Sequence, residues 1–255
     1  MQRCAGWAGR GCFMRMATSR KANAHILYDP ESAPQMNADW FRSEYWRYRD
    51  AVTGEAPGRG ASLFIAHAGQ NWVLRHYRRG GLIAHLSRQR YFWQGVERSR
   101  PFRECCLTAT LHDAQLPVPR PIGACVWRFG GLYEGALMTE RLIGTQALAS
   151  VIDAPDVNPA LLEVTGRAIR RCHAAGLDHV DLNARNLLIS ESPEPQAWVI
   201  DLDRCRLRAQ GRWQQRNLDR LQRSLQRFAP ERADSLMAGI LEGYHAEFST
   251  ATQQV

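Results

Sequence analysis

His179-Val180-Asp181-Leu182-Asn183-Ala184-Arg185-Asn186-Leu187-Leu188-Ile189 is followed, across a short break, by Trp198-Val199-Ile200-Asp201-Leu202-Asp203. The break is Ser190-Glu191-Ser192-Pro193-Glu194-Pro195. Two short apolar runs around a Pro- and Ser-rich interruption read as a β-hairpin. That hairpin holds three polar side chains together. Asp181 and Asn186 precede its first strand, and Asp201 follows its second. A carboxylate, an amide oxygen and a second carboxylate at strand ends form an all-oxygen set, which suits Mg²⁺. Read singly, each is also a residue that loops favour for its own backbone hydrogen bonds. The three at this spacing carry more than any one of them.

H-x-D-L-x-x-x-N followed by an Asp after an apolar strand resembles the catalytic loop and metal-binding Asp of the protein-kinase-like superfamily. The resemblance implies that Asp181 orients the acceptor hydroxyl and takes its proton. Asn186 and Asp201 would hold Mg²⁺ on the phosphates of ATP, and His179 would brace the loop. It also implies an α+β, protein-kinase-like bilobal fold, with a small antiparallel-sheet N-lobe and a mostly helical C-lobe. Three departures are informative. Val180 stands where many regulated protein kinases carry Arg, which points away from phospho-activation. Asn183 replaces a usual Lys, and Asp201-Leu202-Asp203 replaces D-F-G. Together they point to small-molecule and sugar phosphotransferases.

The chain of 255 residues is 45% hydrophobic and 23% charged, ordinary for a globular protein with a substantial core. No apolar run approaches the roughly 20 residues that span a bilayer. A formal charge of +8 favours anionic partners such as nucleotide, phospholipid or phosphorylated glycolipid. The seven cysteines are scattered and contain no C-x-x-C, so a disulfide framework or zinc site is not expected. Cys125 and Cys172 lie in apolar contexts and read as core residues.

Three regions are expected along the chain. Residues 1–24 form a basic extension without fixed structure, with a surface-binding arm as the alternative. Residues 25–142 form the N-lobe with the ATP-phosphate site, and residues 143–255 form the helical lobe with the catalytic and metal loops. Residues 39–48 are aromatic and basic and read as an amphipathic helix on a neighbouring lobe, with nucleic-acid stacking as the alternative. Residues 53–60 read as a Gly-rich turn that does not match G-x-G-x-x-G. Residues 62–67 and 71–77 are two strands joined at Ala68-Gly69-Gln70. At the end of the second, Arg75 is the candidate phosphate-binding cation in the place of the kinase Lys, and Arg78 competes with it. Residues 82–93 are apolar and basic together, and either lie on an anionic membrane surface or cap the small lobe. Residues 98–111 read as a helix whose Glu104 pairs with that cation. Strands follow at 122–127 and 136–142. The backbone of Glu140 to Leu142 sits where a hinge meets the adenine edge. Residues 161–175 form a buried helix ended by Gly176, and residues 213–228 form a helix with an apolar stripe and an arginine face.

Arg75-His76-Tyr77-Arg78-Arg79-Gly80-Gly81, Leu116-Pro117-Val118-Pro119-Arg120-Pro121, the 179–186 loop, Ile200-Asp201-Leu202-Asp203-Arg204 and the string from Asn217 to Leu225 carry a narrower resemblance. They resemble the 3-deoxy-D-manno-octulosonic acid (Kdo) kinases of the lipopolysaccharide-core kinase group, over roughly residues 27–228. The resemblance implies ATP-dependent, Mg²⁺-dependent phosphorylation of the 4-hydroxyl of Kdo on a Kdo-lipid A type glycolipid. It implies a peripheral enzyme on the cytoplasmic face of an inner membrane, in contact with its anionic surface and with no nucleic-acid partner. Alternatives are a heptose kinase of the same pathway, an aminoglycoside-type phosphotransferase, or a non-catalytic nucleotide-binding scaffold, which Arg75 in the Lys position keeps open. A nucleic-acid-binding protein ranks behind these.

Overall fold

The computed structural model describes residues 16–56, 62–77, 90–154 and 156–251, with side chains to residue 246. The chain forms two compact units. One comprises residues 1–113 and 120–142, the other residues 114–119 and 143–255.

The first unit is built on antiparallel strands. They are β1 (Ala17–Lys21), β2 (Ala24–Tyr28), β3 (Val52–Ala56), β4 (Ser62–His67), β5 (Gln70–His76), β6 (Tyr91–Phe92), β7 (Pro121–Phe129) and β8 (Leu132–Glu140). Among the described residues they form one sheet in the order β1-β2-β7-β8-β5-β4-β3, with β6 also paired to β8. The β4–β5 hairpin turns on Ala68 and Gly69, both at positive φ (50° and 76°), the geometry that a two-residue hairpin loop requires. One face of the sheet is covered by an aromatic cluster. A 3-10 turn (Ala38–Phe41) and the short helix α1 (Ser43–Arg47) bury Trp40, Phe41 and Trp46 against Trp72, Ile65 and Met138. The Trp46 indole N–H donates to the Trp40 carbonyl. The 39–48 segment therefore packs on its own sheet, not on a neighbouring lobe. Trp40, Phe41 and Trp46 belong to that core, which removes them from any stacking role, while Tyr48 is exposed. The other face receives α2 (Arg100–Asp113), which buries Phe102 and Cys105 against Ala124, Val126 and Leu137.

The second unit contains α3 (Leu148–Val151), α4 (Pro159–Ala174), α5 (Trp213–Phe228) and α6 (Ala233–Ala251). Its short strands are β9 (Gln146–Ala147), β10 (Leu177–Asp178), β11 (Leu187–Ser190), β12 (Gln196–Val199) and β13 (Arg206–Leu207). Asn158 caps α4 by accepting from the Ala160 N–H, and Pro159 occupies its first turn. The expected apolar positions Leu162, Thr165, Ile169 and Cys172 are all buried. Gly176 (φ 88°) ends the helix in the left-handed conformation. The expected hairpin is β11–β12, in the register Leu187↔Val199 to Ser190↔Gln196. Cys125 and Cys172 are free, buried thiols, and burial pushes the Cys172 thiol up to about 12.

Three boundaries differ from the sequence reading. Thr18 to Lys21 pair with β2, so the basic extension ends before residue 17, and residues 1–15 lie outside the described residues. Residues 114–119 belong with the second unit, because the Pro117 carbonyl accepts from the Val199 N–H and the Gln115 carbonyl from Arg171. Residues 52–56, placed partly in the Gly-rich turn, are strand β3, and the rest of that turn at 57–60 lies outside the described residues.

α4 and α6 touch backbone to backbone. A Cβ at Gly166 would sit 1.9 Å from the Ile240 carbonyl oxygen, and one at Gly243 would sit 2.0 Å from the Glu163 carbonyl oxygen. A Cβ at Gly239 would meet only the Leu162 side chain. Gly166→Ala is expected to cost about 2 kcal/mol or more, a fall in Tm of roughly 4–8 °C for a chain of this size. Gly239→Ala should be far milder, because a side chain can yield and Ala favours the helix by about 1 kcal/mol. Thermal melts of the two variants check this.

Candidate active site

The first unit supplies an arginine–carboxylate pair. Side chains alternate along β5, so Arg75 and Tyr77 face the same way and His76 faces the other. His76 accordingly meets Ser43, while both Arg75 and Tyr77 reach Glu104 on α2. Arg75 Nη2 lies 2.6 Å from Glu104 Oε1, and the Tyr77 hydroxyl donates to Glu104 Oε2. Glu104 is 3% exposed, whereas the Arg75 side chain is 26% exposed. The carboxylate is thus fixed from both oxygens, and the guanidinium is held by one edge. A buried carboxylate is tolerated only when so partnered. The competing cation, Arg78, lies outside the described residues, as do residues 79–89. Tyr77 went unassigned in the sequence, although its spacing of two from Arg75 was the available signal.

At the end of β8 the backbone is partly committed. The Glu140 N–H donates to the Arg120 carbonyl and the Arg141 N–H to the Asn71 carbonyl. The Arg141 guanidinium lies 4.0 Å over the Phe64 ring and donates to Thr53 Oγ1. The N–H groups of Glu140 and Arg141 are therefore already engaged at the place where Glu140 to Leu142 are expected to meet an adenine edge.

The second unit brings Asp181, Asn186 and Asp201 together through the backbone of one residue, Ile200. The Ile200 N–H donates to the Asn186 carbonyl at 3.0 Å, and the Ile200 carbonyl accepts from His179 Nε2 at 3.0 Å. Asp201 is the next residue, with its backbone in the left-handed region (φ 60°). Such a conformation is uncommon outside Gly, though Asp tolerates it. The Asp181 carbonyl accepts from both Asn183 Nδ2 and Asn186 Nδ2, each at 2.9 Å. The loop is anchored from beneath by buried Leu182 and Ala184. The Ala184 N–H donates to Ser224 Oγ and the His179 N–H to Asn217 Oδ1, both acceptors on α5. Asn217 then donates to Asp178 Oδ1, and Asp178 Oδ2 meets Arg206 and Arg208.

Two consequences bear on chemistry. The Asp181 side chain is exposed, and its carboxylate makes no hydrogen bond or ion pair among the described residues. Asn186 is oriented through its amide nitrogen, which leaves its side-chain oxygen as the outward group. Together with the half-buried Asp201 carboxylate this is an all-oxygen donor pair, which fits a hard divalent cation.

Burial holds His179 below the ordinary histidine range, against the opposing influence of the Ile200 carbonyl and the Asp201 and Asp181 charges. Its neutral ring donates through Nε2, so it braces the loop as expected. Burial works to raise the Asp178 carboxyl, but Arg208, Asn217 and Arg206 outweigh it and hold the group below its usual range. His173, buried between α4, Trp213 and Tyr244, is pushed down to about 4 by burial.

The sequence model of the lipopolysaccharide kinase (Kdo/WaaP) family matches residues 43–244. Curated relatives share this match over most of their length. A 3-deoxy-D-manno-octulosonic acid kinase of Xylella fastidiosa (strain M12) is 43% identical over 82% of this chain and 82% of its own. One of Vibrio parahaemolyticus is 36% identical over 82% and 87%, and one of Xanthomonas euvesicatoria is 44% identical over 78% and 79%. A solved structure described as WaaP in complex with acyl carrier protein superimposes with a TM-score of 0.56 at 20% identity, covering 87% of this chain and 88% of that one. That likeness is one of fold, the α+β protein-kinase-like fold. The chain belongs to the lipopolysaccharide kinase (Kdo/WaaP) family. It is a sugar kinase of the lipopolysaccharide core.

Two outcomes test these assignments. Tyr77→Phe removes a bond to a buried charge and should cost about 1.5–3 kcal/mol, measured by denaturant unfolding. His173 protonates at about 4 in the folded state, below its ordinary value of 6.5, so the unfolded chain binds the extra proton between those values. Its contribution is complete above pH 6.5 and is lost as pH falls towards 4, about 2 kcal/mol of it between pH 7 and pH 5. His173→Gln should therefore flatten the slope of Tm against pH in that window, even if it melts lower throughout.

Proposed function

We propose that this kinase transfers the γ-phosphoryl group of ATP to the 4-hydroxyl of Kdo in a Kdo-lipid A type acceptor. The observation that carries the chemistry is the double use of the Ile200 backbone, whose N–H and carbonyl tie the Asp181 loop, Asn186 and Asp201 into one piece. The acceptor reading rests on the relatives, which are named Kdo kinases at 36–44% identity.

In this reading Asp181 accepts a hydrogen bond from the sugar hydroxyl and takes its proton as the oxygen attacks. Its unencumbered carboxylate suits that task. Asn186 and Asp201 are the residues that would hold Mg²⁺. When bound there, the ion offsets negative charge on the phosphates. Arg75, held by Glu104, presents a fixed positive charge to the nucleotide phosphates. A guanidinium oriented by a buried carboxylate needs no reorganisation as charge develops. The Glu140 carbonyl and the Leu142 backbone would meet the adenine.

The acceptor is an amphipathic glycolipid. No helix among the described residues is long and apolar enough to cross a membrane. The chain carries a formal charge of +8. A peripheral enzyme on the cytoplasmic face of the inner membrane reconciles these facts with such an acceptor.

The test is transfer from labelled ATP to Kdo-lipid A in detergent, with heptosylated core and free Kdo in parallel. Asp181→Asn should lower kcat by about 10²–10⁴ with little change in the KM for ATP. Transfer to the heptosylated core alone would overturn the acceptor assignment and retain the kinase.

A further inference from the structure

α5 carries Arg212 at its N-cap and Arg216, Arg220, Arg223 and Arg227 along its length. At about 100° per residue these five fall within an arc of roughly 80°. The opposite side of the helix buries Leu218, Leu221 and Leu225, and Trp213 is buried on the flank. Arg212, Arg216, Arg223 and Arg227 are exposed and Arg220 is half-buried. None of the five side chains makes an ion pair, hydrogen bond or ring contact among the described residues. Neighbouring Arg206 and Arg208 are different, since both are engaged by Asp178. The one acid on α5, Asp219, accepts from Gln215. Asp219 keeps its charge beside the arc, so the result is a line of five positive charges against one negative, about 22 Å long at 1.5 Å per residue.

The stripe has a fixed relation to the catalytic loop. Asn217 and Ser224, which hold the His179 and Ala184 amides, lie on the flank of α5 next to Arg220. Arg185 of the same loop rests 5.0 Å over the ring of Phe228 at the end of α5. A body seated along the stripe therefore lies beside the loop that carries Asp181.

From this arrangement we infer that the α5 arginine stripe is the face that seats the protein on an anionic phospholipid bilayer. A site for one phosphate converges its donors on a point, and this one spreads them along a line. A row of guanidiniums that form no ion pair among the described residues complements an extended array of phosphodiesters. A nucleic acid would offer such an array too, but the stripe carries no interleaved exposed aromatic ring of the sort that grips bases. The inference deepens the kinase reading above and rests on it only for its purpose, because binding is measured without substrate.

The experiment is sedimentation with phosphatidylcholine vesicles, with and without phosphatidylglycerol at a two-to-one ratio, over a range of salt. Each arginine near an anionic surface strengthens binding about fivefold. The triple variant R216Q/R223Q/R227Q should therefore bind the anionic vesicles about a hundredfold more weakly. R216K/R223K/R227K should retain binding, since a bilayer reads charge and not fork geometry. Transfer to acceptor dispersed in detergent should be unchanged in both variants, which also shows that they fold. Equal vesicle binding by the wild type and the glutamine variant would overturn the inference. So would loss of transfer in detergent with vesicle binding intact, which would make the stripe an acceptor-phosphate site. Binding to oligonucleotides but not to anionic vesicles would overturn it in favour of nucleic acid. Vesicle binding lost in the glutamine variant, together with no transfer to any lipid by the wild type, would keep this inference and remove the acceptor reading.

Discussion

The two backbone hydrogen bonds of Ile200 are the constraint on which the catalytic loop depends; the residue acts through both its polar groups. It gives its N–H to Asn186 and its carbonyl to His179, and it covalently precedes Asp201. His179, Asn186 and Asp201 are thereby brought to one point by two hydrogen bonds and one covalent link. Neutral bonds of this kind contribute only about 1 kcal/mol each, but a buried partner left alone costs more. That asymmetry explains why His179 sits 2% exposed and uncharged. A protonated ring there would lack both water and a carboxylate in direct contact. The same logic passes downward through Asn217 to Asp178, where a buried carboxylate is neutralised by two arginines at the surface. The loop is held because its backbone is anchored from beneath at His179 and Ala184, and Asp181 is available because its exposed carboxylate is not engaged.

The arginine–glutamate pair of the first unit follows the same rule by another route. Glu104 could not remain buried on α2 without partners on both oxygens. Arg75 supplies one and Tyr77 the other, from alternate positions of one strand. Placing the cation on a central strand, with its partner on the helix that packs across the sheet, makes the position of the charge a property of the core. Loops could not hold it as well.

Much of this was legible before the structure. The β11–β12 hairpin announced itself by two apolar runs around a Pro-rich break, and α4 by its helical spacing and terminal Gly176. Glu104 was legible only because a cation was being sought for it. What remained hidden has a common cause. Trp40, Phe41 and Trp46 read as the apolar side of a helix on a neighbouring lobe, because aromatic and basic residues mix there. Their burial depends on which sheet face lies bare, and local sequence does not encode that. Residues 17–21 looked like part of a tail because their side chains are polar. An edge strand needs only backbone partners, and β2 provides them. Tyr77, Asn217 and Ser224 were missed as site residues because they act on other residues, across separations that no motif spans.

Of the 33 lysine and arginine residues, Lys21 is the sole lysine. In the proposed reading the position that a kinase ordinarily gives to an amine is held by Arg75, and every cation of the α5 stripe is an arginine. A guanidinium stays protonated at any pH at which the chain is folded and does not acylate as an amine does. The working charges are therefore insulated from acetylation and from amine-directed reagents. An acyl-phosphate nucleotide probe that marks other kinases by forming an amide in the nucleotide cleft would find no amine at residue 75, and this enzyme would pass such a survey unseen.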